Sequence, residues 1–221
     1  LTELLDTLVD KSFIRSGQRQ DVLNRGFEQA RHLLLDKRSE MRRLMGRRRV
    51  AYELSEIELI SSFRLMRQDD PKEQVTEEFL YRLLAQQMGL PFVILDPLQL
   101  DYRLVTESFG GPFAERHLVA AIEDSPEALT LATANPWDKE LLQSIERVKG
   151  KPVRPIVATK RDLLRVVAEF HGFRRSVRAA EAMYGSDYLD IGNIEQLHVL
   201  SMGSSLDATD QPVVQAVNYL L

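Results

Sequence analysis

The spacing of apolar residues changes along the chain, and this change limits the folds that the sequence can adopt. Up to residue 89, apolar residues recur every three or four positions, which is typical of helices with one buried face. After Pro91, short apolar runs are bounded by turn residues, which is typical of strands. The sequence therefore predicts an α+β fold: an N-terminal helical region, then a small mixed sheet flanked by helices, then a linker.

The first 70 residues are predicted to be helical throughout. Three apolar groups at helical spacing support this prediction: Leu4, Leu5, Leu8 and Val9; Val22, Leu23, Phe27 and Ala30; and Leu54, Ile57, Ile60 and Leu65. A further helix is predicted to begin after Thr76, a good N-cap residue, and to end at Gly89, with Met88 on its apolar face.

Residues 90–172 are predicted to fold in the order β, β, β, α, β, α. The predicted strands cover residues 92–95, 118–123, 128–133 and 153–158, and the second and third form an antiparallel hairpin. The next helix is predicted to open at Asn135-Pro136 with Trp137 and Val148 on its buried face. The last helix is predicted to start after Thr159 and to end before His171-Gly172. We expect residues 75–172 to complete a core among themselves.

Charge is distributed unevenly along the chain, although the net charge is only −4. Residues 31–49 contain eight basic and two acidic side chains, whereas residues 181–221 contain six acidic and no basic ones. Because aromatic residues do not interleave with the arginines, this pattern favours a solvated helix face, a protein partner or docking of the acidic tail over nucleic acid. The glycine and serine content of residues 185–209 is typical of a linker.

Several kinds of chemistry lack the residues that they need. Cysteine is absent, and the four histidines are too far apart in sequence for a local zinc motif. No apolar run is long enough to cross a membrane. His117 follows no nucleophile or paired base, so we interpret it as a structural residue near a helix-to-strand turn.

The order of several fragments resembles the N-terminal domain of type II secretion and type IV pilus assembly ATPases. The fragments are LLAQQMGLPFV (83–93), LDPL (95–98), FAERH (113–117), LTLATANP (129–136) and PVRPIVA (152–158). Residues 210–221 are similar to the first helix of the motor domain that follows the linker in this family. We therefore expect the sequence to be a fragment of a longer protein.

The resemblance implies four segments. They are a helical N-terminal region (1–72), the α/β domain of the family (73–184), a flexible acidic linker (185–209) and the truncated start of the motor domain (210–221).

The implied function is that of a non-catalytic adaptor. It couples a homohexameric cytoplasmic motor, through protein–protein contacts, to the assembly platform at the inner face of the bacterial inner membrane. The expected partner is the cytoplasmic domain of an inner-membrane secretion or pilus assembly protein, and membrane association is expected only through such partners. The predicted rim of the binding surface consists of Arg42, Arg43, Arg47, Arg48 and Arg49.

No enzymatic activity is expected of this fragment. A motor needs the phosphate-binding pattern GxxxxGK[ST], and this sequence contains only Gly150-Lys151 followed by Pro152. ATP and Mg²⁺ are therefore expected only in the whole protein.

The resemblance also offers an alternative, a regulatory domain that binds cyclic di-GMP. Many family members bind this nucleotide through two tandem copies of RLGxxLVxxGLVxxxxLxxxLxxQ, and a copy laid from Arg64 also matches at Leu65, Leu80, Leu84 and Gln87. However, Met66 and Glu73 replace its glycines, and Asp69, Asp70 and Glu73 would repel phosphates.

A second, upstream copy of the motif can be aligned with its first position at Glu3. This copy lacks the arginine, and Leu5 and Ser12 replace its glycines. We therefore predict that the nucleotide site is degenerate. The adaptor is the favoured function, and the cyclic di-GMP sensor is the alternative.

Overall fold

The computed structural model describes residues 1–45 and 52–184, and all structural statements below concern these residues. Their helices are α1 (Thr2–Asp10), α2 (Ser16–Met45), α3 (Glu56–Ser62), α4 (Glu77–Met88), α5 (Tyr102–Ser108), α6 (Gly111–His117), α7 (Lys139–Lys149) and α8 (Lys160–Tyr184). Their strands are β1 (Val119–Asp124), β2 (Leu129–Thr133) and β3 (Val153–Val157). The predicted linker (185–209), the predicted start of the motor domain (210–221), and Arg47, Arg48 and Arg49 lie outside the described residues.

The described strands form a mixed sheet in the order β1-β2-β3. β1 and β2 pair in antiparallel fashion, with a register shift between Ala121 and Glu123, and β2 and β3 pair in parallel. The α+β fold with a small mixed sheet flanked by helices is thus confirmed, and so is the predicted hairpin.

Several helices begin or end at the capping residues that the sequence predicts. The Thr76 hydroxyl accepts a hydrogen bond from the Phe79 N–H at 3.1 Å, and Gly89 ends α4 with a φ of 66°. Gly150 ends α7 in the same left-handed conformation, with a φ of 67°. The Thr159 hydroxyl accepts a hydrogen bond from the Asp162 N–H at 3.0 Å in the first turn of α8.

The predicted strand at residues 92–95 is wrong. Only Phe92 makes an isolated bridge, parallel to Val157, because the Asp96 side chain accepts a hydrogen bond from the Leu98 N–H and turns the chain into a 3-10 helix at Pro97–Gln99. The prediction also missed α5 and α6. Their start signals were present in the sequence, since Asp101 caps α5 and Pro112 lies in the first turn of α6.

Three side chains predicted to be buried are exposed. The side chain of Asp138, not that of Asn135, caps α7 by accepting a hydrogen bond from the Leu141 N–H at 2.9 Å. Trp137 therefore precedes the helix and is 51% exposed, and Val148 at the opposite end of α7 is 84% exposed. Phe27 is 78% exposed because α2 buries Val22 and Gly26 instead.

Met88, the predicted last apolar residue of α4, is also exposed. α8 does not end at His171-Gly172 but continues to Tyr184, because α5 and α6 pack against it.

The larger hydrophobic core crosses the predicted boundary at residue 72. Leu5, Leu8, Val22 and Ile60 from the N-terminal helices belong to the same cluster as Leu80, Ala132, Val157 and Leu163. A second cluster contains Leu129, Leu131, Leu141, Ile145 and Val153, which join β2 and β3 to α7. The expectation that residues 75–172 complete a core among themselves holds for the second cluster, whereas they share the larger cluster with α1, α2 and α3.

Candidate functional site

The predicted nucleotide motif contributes mainly to the core. Leu80 is fully buried, Leu65 is buried in the same cluster, and Leu84 packs against that cluster. Arg64 and Gln87 are exposed. The leucines of the motif thus have a structural role, and only the two polar candidates face solvent.

Two turns have a left-handed backbone where the chain leaves α1 and α3. Ser12 follows α1 with a φ of 58°, and Arg64 follows α3 with a φ of 50°. Ser12 occupies the second glycine position of the upstream motif copy. Ser12 thus adopts a backbone conformation that glycine adopts readily, at a position where the motif has glycine.

The loop between α3 and α4 is held by Arg67. Its guanidinium lies 4.3 Å from the Phe79 ring centroid and 5.9 Å from that of Phe13, and it pairs with the Asp69 carboxylate. The hydrogen bond from Arg67 lowers the pKa of Asp69 below its ordinary value. One of the acidic residues predicted to repel phosphates is therefore already paired with a cation.

A buried polar cluster joins the N-terminal helices to α8. The Lys160 ammonium pairs with the Glu58 carboxylate at 2.8 Å, and both side chains are at least nine-tenths buried. Tyr52 donates a hydrogen bond to the same carboxylate, and the Lys160 nitrogen lies 4.0 Å from the Tyr52 ring centroid. The sequence analysis missed this cluster. Ser55 and Glu58 do form a readable S-x-x-E capping box, but nothing in that pattern identifies Lys160 as a partner.

The surroundings of Glu58 favour its carboxylate form. Burial alone would raise the pKa of Glu58, but hydrogen bonds from Lys160, Tyr52 and Ser55 outweigh it and lower the pKa below its ordinary value. Burial and the hydrogen bond to Glu58 raise the pKa of Tyr52, so its hydroxyl stays protonated and continues to donate. The arrangement is a satisfied structural ion pair rather than a poised acid–base pair.

A cavity of about 710 Å³ lies beside this cluster. Its lining includes the cationic side chains of Arg116 and Lys160, the imidazole of His117, and the acidic side chains of Glu115 and Asp138. His117 ends α6 just before β1, as predicted for a structural residue at a helix-to-strand turn. Because both signs of charge line the cavity, the residues indicate no single ligand chemistry.

The most distinctive exposed surface lies on α2. Phe27 and Leu35 are 78% and 60% exposed, and Arg31, Arg38 and Arg42 are exposed as well. At 100° per residue these five side chains fall within an arc of about 80° on one side of the helix. We call Phe27, Arg31, Leu35, Arg38 and Arg42 the α2 stripe. Arg43 is also exposed but lies about 100° further around the helix from Arg42.

The arginines of the α2 stripe have no ion-pair partner among the described residues. The ion pairs of α2 involve Arg19 with Asp6 and Lys37 with Glu40, neither of which belongs to the stripe. Among residues 1–45 and 52–184, no cluster of three or more histidine and acidic side chains could hold a metal ion. No helix in the same part of the chain is long and apolar enough to span a bilayer.

Comparison with known proteins finds a family match for the part of the chain that contains the sheet. Residues 88–177 match the model of the MshEN domain family. This part of the chain is therefore similar to an MshEN domain. The match contains α5, α6, α7 and all three described strands, and the motif from Arg64 to Gln87 ends just before it.

The chain is also similar to a relative whose function is stated. The chain is 26% identical over 143 residues to the type IV pilus assembly ATPase TfpB of Acinetobacter baylyi, an alignment that covers 64% of this chain and 24% of TfpB. The chain thus spans about a quarter of the length of this relative.

Two solved structures are similar to the chain. A structure of MshE with cdg covers 76% of this chain and 97% of its own, with 18% identity and a TM-score of 0.46. A structure of the N-terminal domain of XpsE covers 63% of this chain and 90% of its own, with 17% identity and a TM-score of 0.38.

Proposed function

We propose that this chain is the non-catalytic adaptor region of a type II secretion or type IV pilus assembly ATPase. It couples the homohexameric motor to the inner-membrane assembly platform by binding the cytoplasmic domain of a secretion or pilus assembly protein. ATP and Mg²⁺ bind in the motor part of the whole protein, since this sequence contains no GxxxxGK[ST] pattern. The chain works on the cytoplasmic side of the inner membrane and reaches it only through its partners, and nucleic acid is not among them.

The observation that carries this proposal is the α2 stripe. Large apolar side chains that remain exposed on a helix indicate a binding surface, and arginines around them increase the rate at which an acidic partner associates. The helix itself is anchored, because Val22 on its other side is buried. An anchored helix can present the α2 stripe to a partner without further folding.

The alternative function, cyclic di-GMP sensing, finds less support in the described residues. Leu65 and Leu80 of the candidate motif are core residues, and Arg67 already stacks on Phe79 in the adjoining loop. A calorimetric titration of the chain with cyclic di-GMP should show no binding. Binding at micromolar or tighter affinity would favour the sensor.

The adaptor role is tested by measuring binding of the chain to the cytoplasmic domain of the membrane assembly protein from the same organism. Biolayer interferometry should give a dissociation constant in the micromolar range or below, with association that slows as salt rises. The comparison variant carries Arg31→Glu, Arg38→Glu and Arg42→Glu at exposed positions, and it should associate more slowly. If the intact chain does not bind, the adaptor role is wrong.

A further inference from the structure

The α2 stripe has a shape that restricts what can bind to it. From Phe27 to Arg42 it extends about 22 Å along α2, at a rise of 1.5 Å per residue, and it is about one side chain wide. Phe27 and Leu35 are eight residues apart, which is about 12 Å along the helix and about 80° around it. Both therefore lie within the arc of the α2 stripe. A surface of this length and width matches the side of another helix, in which apolar residues recur every seven or eight positions.

The charges of the α2 stripe restrict the charge that its partner can carry. Arg31 lies between the two apolar residues, and Arg38 and Arg42 follow them on the same side. No ion pair to these arginines occurs in the described part of the chain. A partner helix with acidic residues beside its apolar positions would neutralise all three.

Two other occupants fit this surface less well. A second copy of the chain would place arginines opposite arginines, which is unfavourable. An anionic membrane would contact a wider part of α2 than the stripe, including Glu28, which is exposed beside Leu35. The carboxylate of Glu28 would then repel the anionic lipids at that edge of the contact.

We infer that the α2 stripe binds an acidic amphipathic helix of the membrane assembly protein, with Phe27 and Leu35 as apolar anchors and Arg31, Arg38 and Arg42 as its ionic partners. This inference rests on the proposed adaptor function and specifies the partner surface. The two side chains that contribute most to affinity are the anchors, because they lose the largest apolar area to the partner. The arginines mainly set the association rate and the salt dependence.

Site-directed variants test the surface. Replacing both anchors, Phe27→Ser with Leu35→Ser, should weaken binding of the cytoplasmic domain at least about 100-fold. The triple reversal Arg31→Glu, Arg38→Glu and Arg42→Glu should slow association about tenfold or more at low salt. Val148→Ser and Arg103→Glu are matched controls on exposed positions of α7 and α5, and they should leave binding unchanged. Thermal melting should show that every variant remains folded.

Photo-crosslinking identifies the occupant directly. With p-benzoylphenylalanine in place of Leu35, mass spectrometry of the complex should find a crosslink to a helical segment of the partner that is rich in Asp and Glu. Exchanging acidic residues of that segment for lysine should restore binding to the triple arginine reversal.

The remaining outcomes separate the inference from the proposed function. If the partner binds but the anchor variants bind equally well, or the crosslink joins a basic or non-helical segment, the inference is overturned and the adaptor function stands. Crosslinks to residues 185–221 of this chain, to a second copy, or to lipid in vesicles containing phosphatidylglycerol also overturn it. If the cytoplasmic domain does not bind the wild-type chain at all, the proposed function itself fails.

Discussion

At the scale of single residues, the buried pair of Glu58 and Lys160 is the interaction most sensitive to change. The pair joins residues 102 positions apart in the sequence, and neither side chain is more than 7% exposed. Removing one partner would leave the other charge buried without compensation, which costs more than the pair gains when intact. The contribution of either residue therefore depends on the presence of the other.

We predict that Lys160→Met lowers the free energy of unfolding by about 3 to 5 kcal/mol, because Glu58 is left as an unpaired buried carboxylate. The double variant Glu58→Gln with Lys160→Met should recover part of this loss. Urea denaturation at pH 7 measures both values. Suppose that the free energy of unfolding lost in the double variant equals the sum of the losses in Lys160→Met and Glu58→Gln. The two residues are then not coupled, and their assignment as an ion pair is wrong.

The pair also predicts a pH dependence. Because the pKa of Glu58 is lower in the folded chain than its ordinary value, the unfolded state binds more protons in acid. Its contribution is present above the unfolded pKa of about 4.3 and is lost as the pH falls through the folded pKa. The stability difference between wild type and Glu58→Gln should therefore narrow as the pH falls from 7 toward 3. A difference that is constant over this range would contradict the prediction.

A second residue-scale prediction concerns Gly111. A Cβ atom at this position would lie 3.0 Å from Cγ and 3.1 Å from Nδ1 of His171, which is 5% exposed and has little room to move. Gly111→Ala should lower the free energy of unfolding by about 1 to 2 kcal/mol, since the strain exceeds the entropic gain of alanine. Gly17→Ala, where nothing lies within 4 Å, is the control and should not destabilise. Equal stability of the two variants would show that the imidazole can move away.

At the scale of elements, the sequence predicted structure well where the local chemistry was complete. α4 has an N-cap at Thr76 and a left-handed glycine at Gly89, and the hairpin of β1 and β2 has its own turn residues. The prediction failed where tertiary contacts decide. α8 was predicted to end before His171-Gly172, but α5 and α6 pack against it and it continues to Tyr184.

The candidate site was predicted only in part for the same reason. The basic end of α2 was readable from composition, and Arg42 and Arg43 are exposed there. The exposure of Phe27 was not readable, because apolar spacing alone does not show which side of a helix finds a partner. The pairing of Glu58 with Lys160 was also unreadable, since no local pattern joins residues so far apart in sequence.

The element-scale prediction concerns α2, which contains a glycine in its interior. Gly26 has no positive φ, and an added Cβ would lie at an ordinary 3.9 Å from the Leu59 side chain. Gly26→Ala should therefore raise the free energy of unfolding by about 0.5 to 1 kcal/mol, because alanine loses less backbone entropy in a helix. Thermal melting of the wild-type chain and of Gly26→Ala measures this gain. A lower melting temperature would mean that α2 and α3 are packed more closely than 3.9 Å implies.

At the scale of the whole molecule, the N-terminal helices and the part of the chain that contains the sheet share one hydrophobic core. The larger core contains residues of α1, α2 and α3 as well as of α4, the sheet and α8. The pair of Glu58 and Lys160 crosses the same boundary. A binding event on α2 therefore acts on a helix whose other side packs against the rest of the molecule.

The shared core leads to the last prediction, in which residues 75–172 are expressed alone. This fragment would expose Val75, Leu80 and Leu95, which are at most 1% exposed in the chain, and Lys160 would lose Glu58. We expect a broad, noncooperative thermal transition and binding of a dye that recognises exposed apolar surface. Residues 1–184, the matched control, should melt cooperatively. A sharp calorimetric transition of the fragment, with the enthalpy of about 60 to 80 kcal/mol typical of a folded domain near 100 residues, would show that the sheet keeps its core without the N-terminal helices.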